Sequence, residues 1–430
     1  MYYVGIDIAK AFHIACVLDE SNKLIVKNLR IESEISDFSL LNSELINITE
    51  DKTEFLIGME ATGLLFENLY LFLQNQGYNV VLLNPYQTNR FREMDTMKYV
   101  KNDNIDSQMI AALLKSGRYS QGYVSEDLYQ AIKSLYRHKA TLMQEVKSAK
   151  RQVSTTLAVV FPEFEQIIKD PFSVSGMALL EKYPTAKHYK GASADRILKV
   201  FRNIKGNNFN LQKANDLLDL ARLTIYQGNA QEERAYVILS NLRRIRFLKQ
   251  EIEACESQMF TLLNESEQAV SSSISEDEEI YIADLVDNLR SIDGVADKTI
   301  FALLSECGDI ARFKSGQAFI GFLGLYPTLY QSGNSTKYGK LAKRGARLAK
   351  LALYQAAIAC VRHNDELKKV YLDKKSSGRA PKECVIIVAR KLAMIIYSIY
   401  KNNTPYNPAR VFNTVPGNGT VTRTQASLSH

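Results

Sequence analysis

The first thirty residues fall into three short apolar runs, YYVGIDI, FHIACVLDE and KLIVKNLRI, which predict three strands. Glu20-Ser21-Asn22-Lys23 separates the second from the third, with Ser21 and Asn22 as turn formers. A helix is expected next, N-capped by Ser36 and carrying Phe38, Leu40, Leu41 and Leu45. The apolar run EFLIGME (54–60) predicts a buried strand. LLFENLYLFLQNQG then reads as a helix closed by Gly77, and VVLLN (80–84) as a buried strand stopped by Pro85. The order β-β-β-α-β-α-β-α predicts a mixed sheet with helices packed on it.

The pattern changes after residue 120. Between 126 and 160, Leu128, Ile132, Leu135, Leu142, Ala149 and Val153 form a helical stripe among charged residues. Residues 233–265 repeat it with Ile238, Leu242, Ile245, Ile252, Met259 and Leu263. Two long amphipathic helices with heptad-like spacing predict a coiled coil or helical hairpin, with stripes that mediate self-association. The stretch between them, 161–231, is less periodic and reads as helices with loops. SSSISEDEE (271–279) reads as a linker, and the tail from 402, rich in Asn, Thr, Pro, Gly and Ser, as poorly ordered. A chain of 430 residues exceeds one hydrophobic core. The expected units are 1–120, 121–284, 285–401 and the tail 402–430.

Charge separates these units further. Residues 1–120 hold 11 Lys and Arg against 16 Asp and Glu, whereas residues 321–430 hold 18 against 4. The acidic start suits cations, and the basic end suits a polyanion. The five cysteines are scattered and never spaced as CxxC, which argues for reduced thiols and against a structural zinc site. No apolar run reaches the ~18 residues needed to span a bilayer, and the start MYYVGIDIAK carries no secretory pattern. A cytoplasmic, nucleoid-associated bacterial protein with no membrane partner is expected.

The acidic unit carries a set of ordered carboxylates. Asp7 lies on the first strand between Ile6 and Ile8, and Glu60 ends the strand EFLIGME before Ala61-Thr62-Gly63. Asp103 and Asp106, three apart in KNDNIDSQMIAALL, share one face of a helix. Singly, each has a plain structural role: Asp103 as N-cap, Asp106 at the positive helix end, Glu60 closing a turn, Asp7 paired with Lys10. Together, four acids can hold two hard cations, Mg²⁺ or Mn²⁺, which activate a nucleophile and stabilise a leaving oxygen in phosphoryl transfer. GIDIAK, the Glu of GMEATG and the Asp pair of KNDNIDSQMIA, in this order, resemble the RuvC-like, ribonuclease-H-fold domain of the DEDD transposases of insertion-sequence family one-ten, with its eleven-eleven subgroup. The resemblance covers most of residues 1–120.

The basic end carries two further motifs. SIDGVADKTIFALLSECGDIARF (291–313) reads as helix–turn–helix, with Gly294 in the turn and Lys298 beside it. It looks like a helix-hairpin-helix whose amides bind phosphate, or equally like an ordinary helical turn. Next, Ser332-Gly333-Asn334-Ser335 precedes a run holding Lys337, Lys340, Lys343, Arg344, Arg347 and Lys350 with no acid. Lys343-Arg344-Gly345 is expected to open a helix, and the run to grip phosphates. On its own Ser332 reads as a turn hydroxyl. GLYPTLYQSGNSTKYGKLAKRGARLAKLAL, however, is similar to the serine-bearing carboxyl-terminal domain of the same transposases. That resemblance implies that Ser332 is the nucleophile, with Ser335 as the neighbouring alternative. Relatives often carry a second serine where this chain has Gln331. None of the 5 histidines lies near Ser332, so a Ser-His-Asp hydrolase has no local support.

The resemblance implies an α/β RuvC-like domain, a helical coiled-coil region, and a mainly α-helical domain with a helix-hairpin-helix. It implies a transposase that cuts and rejoins donor and target DNA through a serine link with Mg²⁺. In the family a structured bridge RNA guides the reaction, and the site is assembled across a homo-oligomer, dimer or tetramer. A RuvC-like metal-dependent junction nuclease and a non-catalytic nucleic-acid-binding protein are the competing readings.

Overall fold

The computed structural model describes residues 1–61, 63–95, 103–123, 127–270, 281–332 and 335–410. The linker expected at 271–279 and the tail beyond 410 lie outside these residues. The chain divides into two compact units, Met1–Val124 and Ser125–His430.

The first unit follows the predicted order: β1 (Tyr2–Asp7), β2 (Phe12–Leu18), β3 (Leu24–Glu32), α1 (Ile35–Ile46), β4 (Phe55–Glu60), α2 (Glu67–Asn75), β5 (Asn79–Leu83), α3 (Pro85–Asp95) and α4 (Asp103–Ser116). The sheet runs β3-β2-β1-β4-β5, antiparallel on the β3 side and parallel on the β5 side. Asn22 adopts the left-handed φ of 66° that the β2–β3 turn requires. The Asp19 carboxylate accepts the amides of Ser21 and Lys23 in that turn. Ser36 does not cap α1. The extended residue Glu34 takes the cap position without a side-chain bond, and Asp37 instead accepts the amide of Glu32. Gly77, with φ of 88°, follows the α2 cap Gln76 and ends the helix as expected.

The second unit opens with α5 (Asp127–Val160). Four shorter helices follow: α6 (Phe164–Ile167), α7 (Val174–Lys182), α8 (Ala194–Phe201) and α9 (Leu211–Leu223). α10 (Gln231–Val270) then runs antiparallel to α5, as the ion pairs Glu145–Arg244 and Lys139–Glu256 show. The two apolar stripes are therefore buried against each other inside one chain, Ala149 and Val153 clustering with Ile238, Leu242 and Ile245. The helical-hairpin reading accounts for them. α6–α9 wrap one end of this pair. The other end joins the core of α11 (Tyr281–Arg290), α12 (Asp297–Cys307) and α13 (Gly316–Leu323), with α14 (Arg347–His363), α15 (Asp365–Ser376) and α16 (Pro381–Asn402).

Between α13 and α14 the sequence reading missed a strand pair, β6 (Pro327–Ser332) with β7 (Ser335–Leu341). Thr328, Tyr330, Thr336 and Tyr338 supply the β-branched and aromatic residues that favour it. α14 opens at Arg347, not at Lys343, because Gly345 has a left-handed φ of 97° that breaks the helix. Among the described residues no helix is long and apolar enough to cross a membrane.

Candidate carboxylate site and nucleic-acid interface

β1 and β4 are parallel neighbours, with Ile6 beside Met59, so Asp7 and Glu60 end adjacent strands at the same edge. Alternation fixes their face. Val4, Ile6, Ile57 and Met59 pack in the cluster of α1 and α2, which puts Tyr3, Gly5 and Asp7, with Leu56, Gly58 and Glu60, on the face that α4 covers. α4 lies directly on β1. A Cβ on Gly5 would sit 2.0 Å from the Ser107 carbonyl oxygen and 2.5 Å from the Ala111 amide nitrogen. Asp106 immediately precedes that contact and is 5% exposed.

Helix α3 holds two of the acids. The buried Thr88 hydroxyl donates to Glu60 Oε2 at 3.0 Å. Arg92 Nη2 pairs with Asp106 Oδ1 at 2.8 Å. Positions 88 and 92 are one helical turn apart, so Glu60 and Asp106 converge on one stripe of α3. Neither residue was picked out from the sequence. The only available signal was their i, i+4 spacing on the helix that follows a strand end. Asp103 opens α4, but its side chain lies outside the described residues. Among the described residues no three His, Cys, Asp or Glu side chains are close enough to share one metal ion. The donor chemistry nevertheless fits Mg²⁺ or Mn²⁺. Hard carboxylate oxygens stand at one sheet edge, and a buried carboxylate such as Asp106 is costly unless a cation accompanies it.

In the second unit, Gly294 has φ of 96° between α11 and α12, and a Cβ there would lie 2.6 Å from the Cys360 amide of α14. The glycine thus permits close packing as well as the turn. The Val295 amide donates to Ile292 O, and Asp297 at the head of α12 pairs with Arg290. Lys298 is exposed, 3.7 Å from Glu256.

Ser332 ends β6 in register with Ser335 at the start of β7. The side chains of Ser332, Ser335 and Lys337 lie outside the described residues, as do Gly333 and Asn334. Lys340, Lys343, Arg344 and Arg347 are exposed around the start of α14. Lys350 differs: its Nζ donates to the carbonyls of Ala342 and Arg344 at 3.0 and 2.8 Å, and burial lowers its pKa. It clamps the junction where Gly324 and Gly345 touch, a Cβ on Gly345 lying 2.6 Å from the Gly324 amide.

Two family models match the chain. Residues 4–162 match the DEDD transposase model of IS110, described as a transposase, and residues 286–372 match the Transposase IS116/IS110/IS902 family. The chain is 23% identical to a probable family 20 transposase of Pseudomonas aeruginosa, over 38% of this chain and 46% of the relative. It is 29% identical to the pilin gene-inverting protein of Moraxella bovis, over 28% of this chain and 38% of the relative. It is 27% identical to the transposase for insertion sequence element IS1111A of Coxiella burnetii, over 27% of this chain and 33% of the relative. The matched part spans less than half the length of each of these relatives. The carboxylate-edged mixed sheet at one end and the serine-bearing segment at the other each fall within a matched region, and the chain belongs to the IS110 transposase family.

Proposed function

We propose that this protein is a DNA transposase that cuts and rejoins strands through a serine-linked intermediate. What supports the reading is that Asp7 and Glu60 end adjacent parallel strands on the sheet face covered by α4, the helix that carries Asp106, in a chain matched to DEDD transposases. Asp7, Glu60, Asp103 and Asp106 hold the divalent metal, Mg²⁺ or Mn²⁺. When bound, it supplies positive charge to the phosphate under attack. Ser332 Oγ forms a bond to phosphorus as the bond to the leaving deoxyribose oxygen breaks. The serine proton passes through solvent to that oxygen, leaving a free hydroxyl. The phosphoserine conserves the phosphodiester's energy, so rejoining reverses the same exchange without ATP.

Lys337, Lys340, Lys343, Arg344 and Arg347 bind backbone phosphates, and the α11–α12 turn with Gly294 and Lys298 acts as a helix-hairpin-helix. Donor and target DNA, a guide RNA and a second or fourth copy of the chain are the partners. Because the α5 and α10 stripes bury each other, self-association uses other surfaces.

The test is adduct formation with labelled DNA. Ser332→Ala abolishes the covalent product and Ser335→Ala keeps it. Loss in Ser335→Ala alone moves the nucleophile to the neighbour. Cleavage that survives in both serine variants but is lost in Asp7→Asn makes the protein a water-using nuclease.

A further inference from the structure

Arg92 stands where a metal ligand set needs an open carboxylate. Asp106 is buried, with 6% of its side chain exposed, and a carboxylate there is costly without a cation. Arg92 supplies that charge at 2.8 Å, from a side chain that is itself 22% exposed and so keeps an edge to solvent. The neighbouring anchor on α3 is different in kind. Thr88 is a neutral donor to Glu60, and a carboxylate can keep such a bond while also binding a cation. A guanidinium shares its carboxylate with a metal only at a cost, because the two cations repel.

We propose that Arg92 is a stand-in cation for the carboxylate site, pairing with Asp106 until a divalent metal takes its place. The inference rests on the metal reading of the four acids. It makes α3 a latch: loading swings the Arg92 side chain off Asp106, while Thr88 keeps Glu60.

The guanidinium and a divalent ion compete for the same carboxylate, so removing Arg92 should favour the ion. The experiment is Mn²⁺ binding to the full chain without nucleic acid, followed by electron paramagnetic resonance. Arg92→Gln should bind Mn²⁺ on the order of tenfold more tightly than wild type, because the competing charge is gone. Arg92→Lys should fall between them. The chain has no tryptophan, so Tyr86→Trp places a single reporter on α3 with Arg92 intact. Its emission should change on Mg²⁺ addition, and Asp106→Asn should abolish the change. If Asp7→Asn abolishes Mn²⁺ binding but Arg92→Gln leaves the affinity unchanged or weaker, Arg92 is a permanent structural partner and the proposal falls alone. If Asp7→Asn binds Mn²⁺ like wild type, the metal reading fails and takes the proposal with it. Should Arg92→Gln not fold, a reporter silent at saturating Mg²⁺ overturns the latch.

Discussion

Gly5→Ala probes how closely α4 must approach β1 for the acids to work. The new Cβ would lie 2.0 Å from Ser107 O and 2.5 Å from Ala111 N, and both neighbours are helix backbone that no rotamer change can move. Carbon–oxygen contacts settle at about 3.3 Å or more, so α4 must retreat by over ~1 Å. That motion carries Asp106 away from the strand bearing Asp7. Gly58, paired with Gly5 in the sheet, is the internal control. The atoms nearest its Cβ would be Leu114 side-chain carbons, at 2.7 to 2.9 Å, and that side chain can turn aside. Overpacking of this kind costs about 1–3 kcal/mol; Gly5→Ala should fall at the top of the range and Gly58→Ala at the bottom. Misplacing catalytic groups by ~1 Å can cost about 100-fold in rate. Gly5→Ala should therefore lose about two orders of magnitude in DNA strand cleavage and bind Mn²⁺ more weakly, well below the folding midpoint, while Gly58→Ala stays near wild type. Denaturant unfolding, Mn²⁺ titration and cleavage of labelled DNA measure the three quantities. Wild-type cleavage and metal affinity in Gly5→Ala would refute the argument that this contact positions the acids.

Three further outcomes are expected. Replacing Lys343 and Arg344 by Ala should weaken binding to all DNA sequences alike and flatten the log–log salt slope by roughly 0.9 per lost phosphate contact; an unchanged slope would make these side chains a solvated face. Lys350→Met should leave the salt slope unchanged and lower stability by about 1–3 kcal/mol, because its Nζ satisfies the carbonyls of Ala342 and Arg344; a flattened slope in this variant would place Lys350 on the phosphates after all. His13 is 2% exposed and burial lowers its pKa below 6.5, so the folded state resists protonation. Its contribution to stability is intact above pH 6.5 and is lost as pH falls toward the lower folded value. The fall in melting temperature across that range should shrink in His13→Leu, and an identical pH profile in the variant would dismiss the histidine.

The first unit was legible because its sheet is buried on both faces. Leu56, Ile57 and Met59 are all covered, so the apolar run alone marked a strand. The serine-bearing unit was harder. Lys343 and Arg344 carry good helix propensity, yet Gly345 must turn left-handed to abut Gly324, a residue 21 positions away, and the helix starts only at Arg347. The pairing of β6 with β7 was masked by basic residues that looked like the lead-in to a helix. The α5 and α10 stripes were visible as stripes. Their burial in one chain is set by the antiparallel turn-back through α6–α9, which no local spacing records.

The carboxylates show where such reading stops. Asp7, Glu60 and the Asp103–Asp106 pair were conspicuous because acids on apolar strands and at helical spacing are individually costly. Arg92 was not, because a cation on an exposed-looking helix resembles any solvated residue. Its meaning comes only from Asp106, 14 positions further on, and from the burial that the glycine floor of the sheet forces on α4. Gly5 and Gly58 admit the helix, the close approach buries Asp106, and the buried charge demands a cation. The same steps that would suit the edge to a metal therefore make it costly without a counter-ion, and α3 supplies one within a single turn of the residue that holds Glu60.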